Sequence, residues 1–123
     1  ARTLAEVLRL NKILAKLYLE ANRFGDEGAR SLADALQVNN TLSELTLVYN
    51  VIWAEGAEAL AAALKVNSTL TKLCFAYNNV GDDEVAEAVK ANNNLTDLNL
   101  HYDQIGDEMA RALAKALCVN NTL

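Results

Sequence analysis

Few residues of this chain could carry out catalysis or bind a metal. It has one histidine, His101, and two cysteines, Cys74 and Cys118, which are far apart and form no CxxC pair. A zinc site takes about four such ligands, so these three residues cannot form one with normal coordination. Cys74 and His101 could form a nucleophile–base pair, but they belong to different segments and nothing marks the thiol as activated. We predict no catalytic residues, no metal site and no cofactor.

Charge and composition exclude further classes of function. The net charge is −5, and the 11 lysines and arginines are scattered, whereas nucleic-acid binding needs a clustered basic patch. No P-loop or GxGxxG motif is present, and no small-molecule substrate is expected. No apolar run approaches the roughly 20 residues that span a bilayer. Two widely spaced cysteines in an acidic chain favour reduced thiols and a cytoplasmic protein.

An internal repeat organises the sequence. Leu14, Leu42, Leu70, Leu95 and Leu123 open equivalent segments, at spacings of 28, 28, 25 and 28 residues. Each unit starts with an alternating segment such as LSELTLVYN, which predicts a strand. A helical stripe such as GAEALAAAL follows. The units are 14–41, 42–69, 70–94 and 95–122, and residues 1–13 match the end of a preceding unit. Stacked units would bury a continuous core and align their strands in parallel.

The repeat resembles the leucine-rich repeats of the ribonuclease-inhibitor type, as found in NOD-like receptors and Ran GTPase-activating proteins. LxxLxLxxNxIGDEGAxALAxALxVNxTL, in register over the whole chain, is close to that family's consensus. The resemblance implies an α/β fold: a curved solenoid with a parallel sheet on its concave face and helices on its convex face. We expect residues 1–123 to be one such segment, cut from a longer array, because neither end carries a polar cap.

The residue types at the strand-to-helix turns predict their roles. Asn50 and its counterparts end each strand with an amide that can satisfy turn backbone groups. Gly25 suits a left-handed bend and Asp26 suits an N-cap. The second unit instead has Trp53 and Ala54 at these two positions, which predicts a regular backbone and an uncapped helix. Either the indole shields the start of that helix, or it protrudes as an anchor for a partner.

The third unit is three residues shorter than the others. Aligning Val85 with Leu60 and Val89 with Leu64 places the missing residues at the start of its helix. We therefore expect that helix to lack almost one turn. Asn-x-Thr sequons beginning at Asn39, Asn67, Asn94 and Asn120 suggest glycosylation, but three share one repeat position, so we attribute them to the repeat itself.

The resemblance implies a non-catalytic scaffold that binds a protein or peptide. Positions between and after the core leucines should face the concave side, and Tyr49, Tyr77 and Tyr102 should form a ladder with rungs about 4.8 Å apart. The predicted partner-binding residues are Tyr18, Tyr49, Tyr77, Tyr102, Trp53, His101, Glu20 and Val48.

Two alternative functions remain open. The chain could be an architectural part of a large cytoskeletal or ciliary assembly, contacting its neighbours through convex helices and edges. It could also be a fragment of a Ran-type GTPase-activating protein, which needs polar groups on a loop to act on a GTPase. Arg23 is the only arginine in a strand-to-helix loop, and no functional residue of that family can be placed on this sequence.

Overall fold

Short strands alternate with helices along the whole chain. The computed structural model describes residues 1–80, 82–101 and 107–123. The strands are β1 Lys16–Tyr18, β2 Glu44–Thr46, β3 Lys72–Cys74 and β4 Asp97–Asn99. The helices are α1 Arg2–Leu10, α2 Gly25–Leu36, α3 Ala54–Val66, α4 Asp82–Ala91 and α5 Asp107–Leu117. Over the described residues, none of these helices combines the length and the apolar character needed to traverse a bilayer.

The four strands form one parallel sheet in the order β1-β2-β3-β4. The register keeps equivalent residues side by side, so that Leu17, Leu45, Leu73 and Leu98 form one row across the sheet. Each strand is followed by a helix that packs on the helices of the neighbouring units. The predicted α/β solenoid, with strands on the concave face and helices on the convex face, is confirmed.

The core lies between the sheet and the helices. Leu45 and Leu47 of the second unit are almost fully buried, as is Leu42 at the start of that unit. Alanines at the contact face of the helices, such as Ala29 and Ala63, are also completely buried. Because the alanine side chains are small, the helices of consecutive units can pack closely against each other.

The shorter third unit loses residues at the start of its helix, as predicted. Helix α4 has 10 residues, whereas α3 has 13. The two helices end at equivalent positions, Val66 and Ala91, which are 25 residues apart. Since the ends coincide, the three-residue difference lies entirely at the N-terminus of α4.

A row of buried asparagines ties each helix end to the preceding unit. The Asn67 amide donates to the carbonyls of Leu36 and Asn39 at 2.8 and 3.0 Å. Its Oδ1 accepts the backbone N–H groups of Thr69 and Leu70 at 3.0 and 2.8 Å. Asn39, Asn92 and Asn120 occupy equivalent buried positions. The sequons that begin at Asn39, Asn67 and Asn120 therefore arise from amides that hold the fold together.

Candidate functional site

A second row of asparagines fixes the loops that follow the strands. The Asn50 amide donates to the Leu19 carbonyl at 2.7 Å and to the Val48 carbonyl at 3.2 Å. Its Oδ1 accepts the Asn22 N–H at 3.1 Å, and Asn78 Oδ1 accepts the Asn50 N–H at the same distance. Asn50 is fully buried. The role predicted for these asparagines is confirmed, and each loop is locked onto the next.

Two tyrosines stand directly before this asparagine row. Tyr49 and Tyr77 stack with ring centroids 4.2 Å apart and planes inclined by 23°. The ring of His101 meets that of Tyr77 edge-on at 6.0 Å. Tyr49 is 52% exposed and Tyr77 is half-buried. The predicted ladder is present between these two tyrosines, while Tyr102, its third member, lies outside the described residues.

The loops around this stack contain residues in a left-handed backbone conformation. The non-glycine residues with positive φ among those described all line one open cleft, together with Asn79. We call this the rim cleft, and it is lined by Ala21, Arg23, Tyr49, Val51, Tyr77 and Asn79. Such a backbone costs on the order of 1 kcal/mol or more for a non-glycine residue, and a β-branched residue such as Val51 is an outlier there. The strained backbone is thus concentrated at one surface.

The turn that contains Trp53 corrects two of the sequence predictions. Asp26 does not cap α2, where Phe24 occupies the N-cap without a side-chain hydrogen bond. Asp26 Oδ1 instead accepts the N–H groups of Trp53 and Gly56 at 2.7 and 3.0 Å, at the start of α3. The expectation that α3 is uncapped is therefore wrong, because the preceding unit supplies the cap. A Cβ on Gly56 would lie 2.5 Å from Asp26 Oδ1, so only glycine allows this approach.

The reason for the misplaced cap is the position of the helix start. Helix α2 begins at Gly25, whose φ is +58°, so Asp26 already lies within its first turn. The other predicted glycines of this type, Gly81 and Gly106, lie outside the described residues. Trp53 has an extended backbone (φ −110°, ψ −169°), as expected for the residue that replaces glycine. The Trp53 side chain is 53% exposed. The backbone amides at the start of α3, which the indole could have shielded, are bound by Asp26 instead.

The concave surface of the strands carries charges that neutralise each other. Lys16 Nζ lies 2.9 Å from a Glu44 carboxylate oxygen, and Lys72 Nζ lies 4.0 Å from one of Asp97. The Tyr18 hydroxyl donates to Glu44 Oε1 at 3.0 Å. Hydrogen bonds from Lys16 and then Tyr18 lower the pKa of Glu44, and the same contacts raise the pKa of both donors. Charges of opposite sign thus alternate across the sheet.

The remaining predicted partner-binding residues are spread along the same side. Glu20 and His101 are exposed, and Val48 is half-buried. Tyr18 is 53% exposed but is tied to Glu44, a residue that the sequence interpretation did not select. The sequence did contain a sign of this contact: Glu44 follows Lys16 by 28 residues, one repeat, so the two opposite charges lie side by side on neighbouring strands. Over the part of the chain that the structure describes, no cluster of three metal-ligating side chains occurs.

Comparisons with known proteins identify the repeat. The family described as Leucine Rich repeat matches residues 8–33, 38–61, 66–83 and 91–114. No curated protein sequence matches the chain. A solved structure described as "Leiomodin-1 Actin-Binding Site 2 (ABS2)" is 25% identical in sequence and has a TM-score of 0.88. The match covers 97% of this chain and 73% of the leiomodin-1 chain.

A more distant structure shares the fold alone. The tropomodulin C-terminal domain of Caenorhabditis elegans is 16% identical with a TM-score of 0.66, and the match covers 96% of this chain and 91% of that one. The family match extends over most of the sequence, and the parallel sheet and helix stack agree with it. The chain therefore belongs to the leucine-rich repeat family, as an array of the ribonuclease-inhibitor type.

Proposed function

We propose that this chain is a non-catalytic protein-interaction module whose partner contacts the rim cleft and the adjoining concave residues. The observation that carries the proposal is the exposed stack of Tyr49 on Tyr77, held by the buried Asn50 below it. Tyrosine is enriched at protein interfaces because it combines a large apolar area with a polar tip and few rotatable bonds. A rigid loop under the stack lowers the entropy cost of binding.

The proposed contact surface has a centre and a periphery. Tyr49 and Tyr77 form the centre, with Val48 and His101 beside them along the strand ends. Trp53 contributes an exposed indole on the loop side, where an anchor residue could enter a pocket of the partner. Glu20, Tyr18 and Tyr102 complete the surface that we propose on the basis of the repeat positions.

We propose actin as the first partner to test. The similar structure of leiomodin-1 is described as an actin-binding site, and its TM-score of 0.88 over 97% of this chain supports a comparable backbone. With that partner, the module would work in the cytoplasm.

An architectural role, inside a large cytoskeletal or ciliary assembly, is the second candidate. A specific surface favours it: equivalent valines at the ends of the helices are exposed. Val38 is 50% exposed, Val66 is 64% exposed and Val119 is 56% exposed. We call these three residues the valine row. In this alternative the valine row, rather than the rim cleft, contacts the assembly.

Binding to actin filaments separates the two candidates. The unmodified protein would be compared in co-sedimentation with the double variant Tyr49→Ala/Tyr77→Ala and with Val38→Ser/Val66→Ser. We expect the tyrosine variant to lose affinity by about tenfold or more and the valine variant to bind normally. The reverse pattern would assign the contact to the valine row. Absence of binding by the unmodified protein would remove actin as the partner.

A further inference from the structure

We infer that the rim cleft takes an acidic segment of the partner, with a carboxylate on Arg23 and a neighbouring apolar side chain against Tyr49 and Val51. The inference rests on the proposed function, because it specifies the chemistry of the same surface. Among the residues that the structure describes, Arg23 is the only charged one that lines this cleft. Its guanidinium can bind a carboxylate through two parallel hydrogen bonds.

Arg23 differs from Arg2 and Arg30 in having no carboxylate partner. Arg2 and Arg30 pair with Glu27 and Glu55 of the neighbouring helices. Arg23 is exposed, and among the described residues it has no ion pair and no side-chain hydrogen bond. A cation that lines the same cleft as the two stacked rings is thus available to an outside carboxylate.

Several backbone N–H groups of the rim are already hydrogen-bonded within the array. The N–H groups of Ala21 and Tyr77 donate to the carbonyls of Val48 and His101 at 2.9 and 3.0 Å. The Tyr49 N–H donates in the same way to the next unit at 3.3 Å. These donors are already used within the array, so a partner strand cannot add to this edge through them. An approaching segment meets the guanidinium, the rings and the aliphatic surface instead.

The apolar half of the cleft consists of Tyr49 and Val51, which both have a left-handed backbone. Glycine would adopt this conformation without strain. Tyr49 and Val51 have φ values of 55° and 58° and are 52% and 47% exposed. Gly25 has the same φ of 58° without a side chain. A ring face beside an exposed valine suits an aliphatic or aromatic side chain adjacent to the acid.

The net negative charge of the chain makes a preference of the rim cleft for acidic peptides a stringent prediction. The chain carries a net charge of −5, so its field as a whole repels an acidic segment. A preference for acid over neutral peptide must therefore come from the local cation. Because Arg23 is the cation of the cleft, its removal should abolish the preference rather than weaken it slightly.

Peptide titration of the purified protein tests the inference. The probes are a blocked synthetic peptide in which glutamate alternates with phenylalanine and leucine, and two versions with glutamine or lysine in place of glutamate. We expect the glutamate peptide to bind about tenfold more tightly than the glutamine peptide, with the lysine peptide weakest. Raising NaCl from about 50 mM to about 300 mM should remove most of that advantage.

Variants locate the effect. Arg23→Gln should give equal affinities for the glutamate and glutamine peptides, and Arg23→Lys should keep part of the preference. Arg9→Gln removes the same charge from an exposed position on α1 and should leave the preference intact. Equal binding of both peptides to the unmodified protein, or a preference that survives Arg23→Gln, overturns the inference.

The actin assay with the same variants keeps the two proposals apart. If the tyrosine variant loses actin binding while no acid preference exists, the proposed function stands and the acidic-segment inference fails. If the preference depends on Arg23 while the tyrosine variant binds actin normally, the proposed actin contact at the rim fails instead.

Discussion

Adjacent residues at the strand ends differ sharply in burial. Asn50 is fully buried and Asn78 is 2% exposed, whereas their neighbours Tyr49 and Tyr77 face the rim cleft. The polar side chains are inside and the aromatic ones outside, the reverse of the usual distribution. The difference teaches that two adjacent positions have separate roles: the asparagine holds the array together, and the exposed tyrosine is the residue that we propose contacts a partner.

The physical basis of this division is the stacking of loops. Each loop has backbone groups that a three-residue strand cannot pair, and a buried amide can satisfy several of them at once. Asn50 bonds to Leu19, Val48 and Asn22, all in the loop itself or the one before it. The left-handed backbone at Tyr49 lies directly before that amide, and its ring lies outside the core.

The largest expected loss of stability comes from replacing a buried asparagine of the loop row. Asn50→Ala removes the amide and leaves the Leu19 carbonyl without this donor and the Asn22 N–H without this acceptor. We expect a loss of about 3 kcal/mol in the free energy of unfolding, measured by urea denaturation. Asn40→Ala, at an exposed position, is the control and should cost less than about 0.5 kcal/mol. Similar losses for both variants would contradict the role of the buried row.

A smaller effect is expected at the cap shared between units. Asp26→Ala leaves the N–H groups of Trp53 and Gly56 without their acceptor, and should lower the free energy of unfolding by about 1 kcal/mol. Asp26→Asn keeps an Oδ1 acceptor and should lose less. Asp34→Ala, an exposed position on α2, is the matched control. If Asp26→Ala is no less stable than Asp34→Ala, the cap contributes nothing.

The tyrosine side should tolerate substitution with little loss of stability. Tyr49→Ala removes a stack at a half-exposed position, so we expect a decrease of about 0.5 kcal/mol in the free energy of unfolding. Circular dichroism should show an unchanged fold. A loss as large as that of Asn50→Ala would mean that the tyrosine supports the loop, and the division between the two positions would disappear.

The smallest effect concerns the charges of the concave face. The pKa of Glu44 is lowered by its hydrogen bonds with Lys16 and Tyr18, so its stabilising effect is present above the pKa it has in the unfolded chain. The effect is lost as pH falls through the lower folded-state pKa. In an NMR titration, Lys16→Met should move the Glu44 midpoint upward. An unchanged midpoint would show that Lys16 does not act on it.

The repeat made much of the fold predictable, because its spacing alone fixes which residues are equivalent. Parallel strands, the shortened α4 and the stack of Tyr49 on Tyr77 follow from that register. The cap by Asp26 was missed because the turn was interpreted within one unit, while the hydrogen bonds cross to the next. The left-handed rim was also missed, since Arg23 and Val51 carry no glycine signal. The structural role of the buried asparagines at the helix ends, Asn39, Asn67 and Asn120, was missed, because in the sequence they appeared only as recurring sequons.

An NMR footprint on isotopically labelled protein tests the central claim most directly. The backbone amides would be followed while monomeric actin, blocked from polymerising, is added. We predict that signals of residues 48–53 and 76–79 change or broaden first, and that those around Val38 and Val66 remain in place. Changes confined to the ends of the helices, or no change at the rim, would contradict the account.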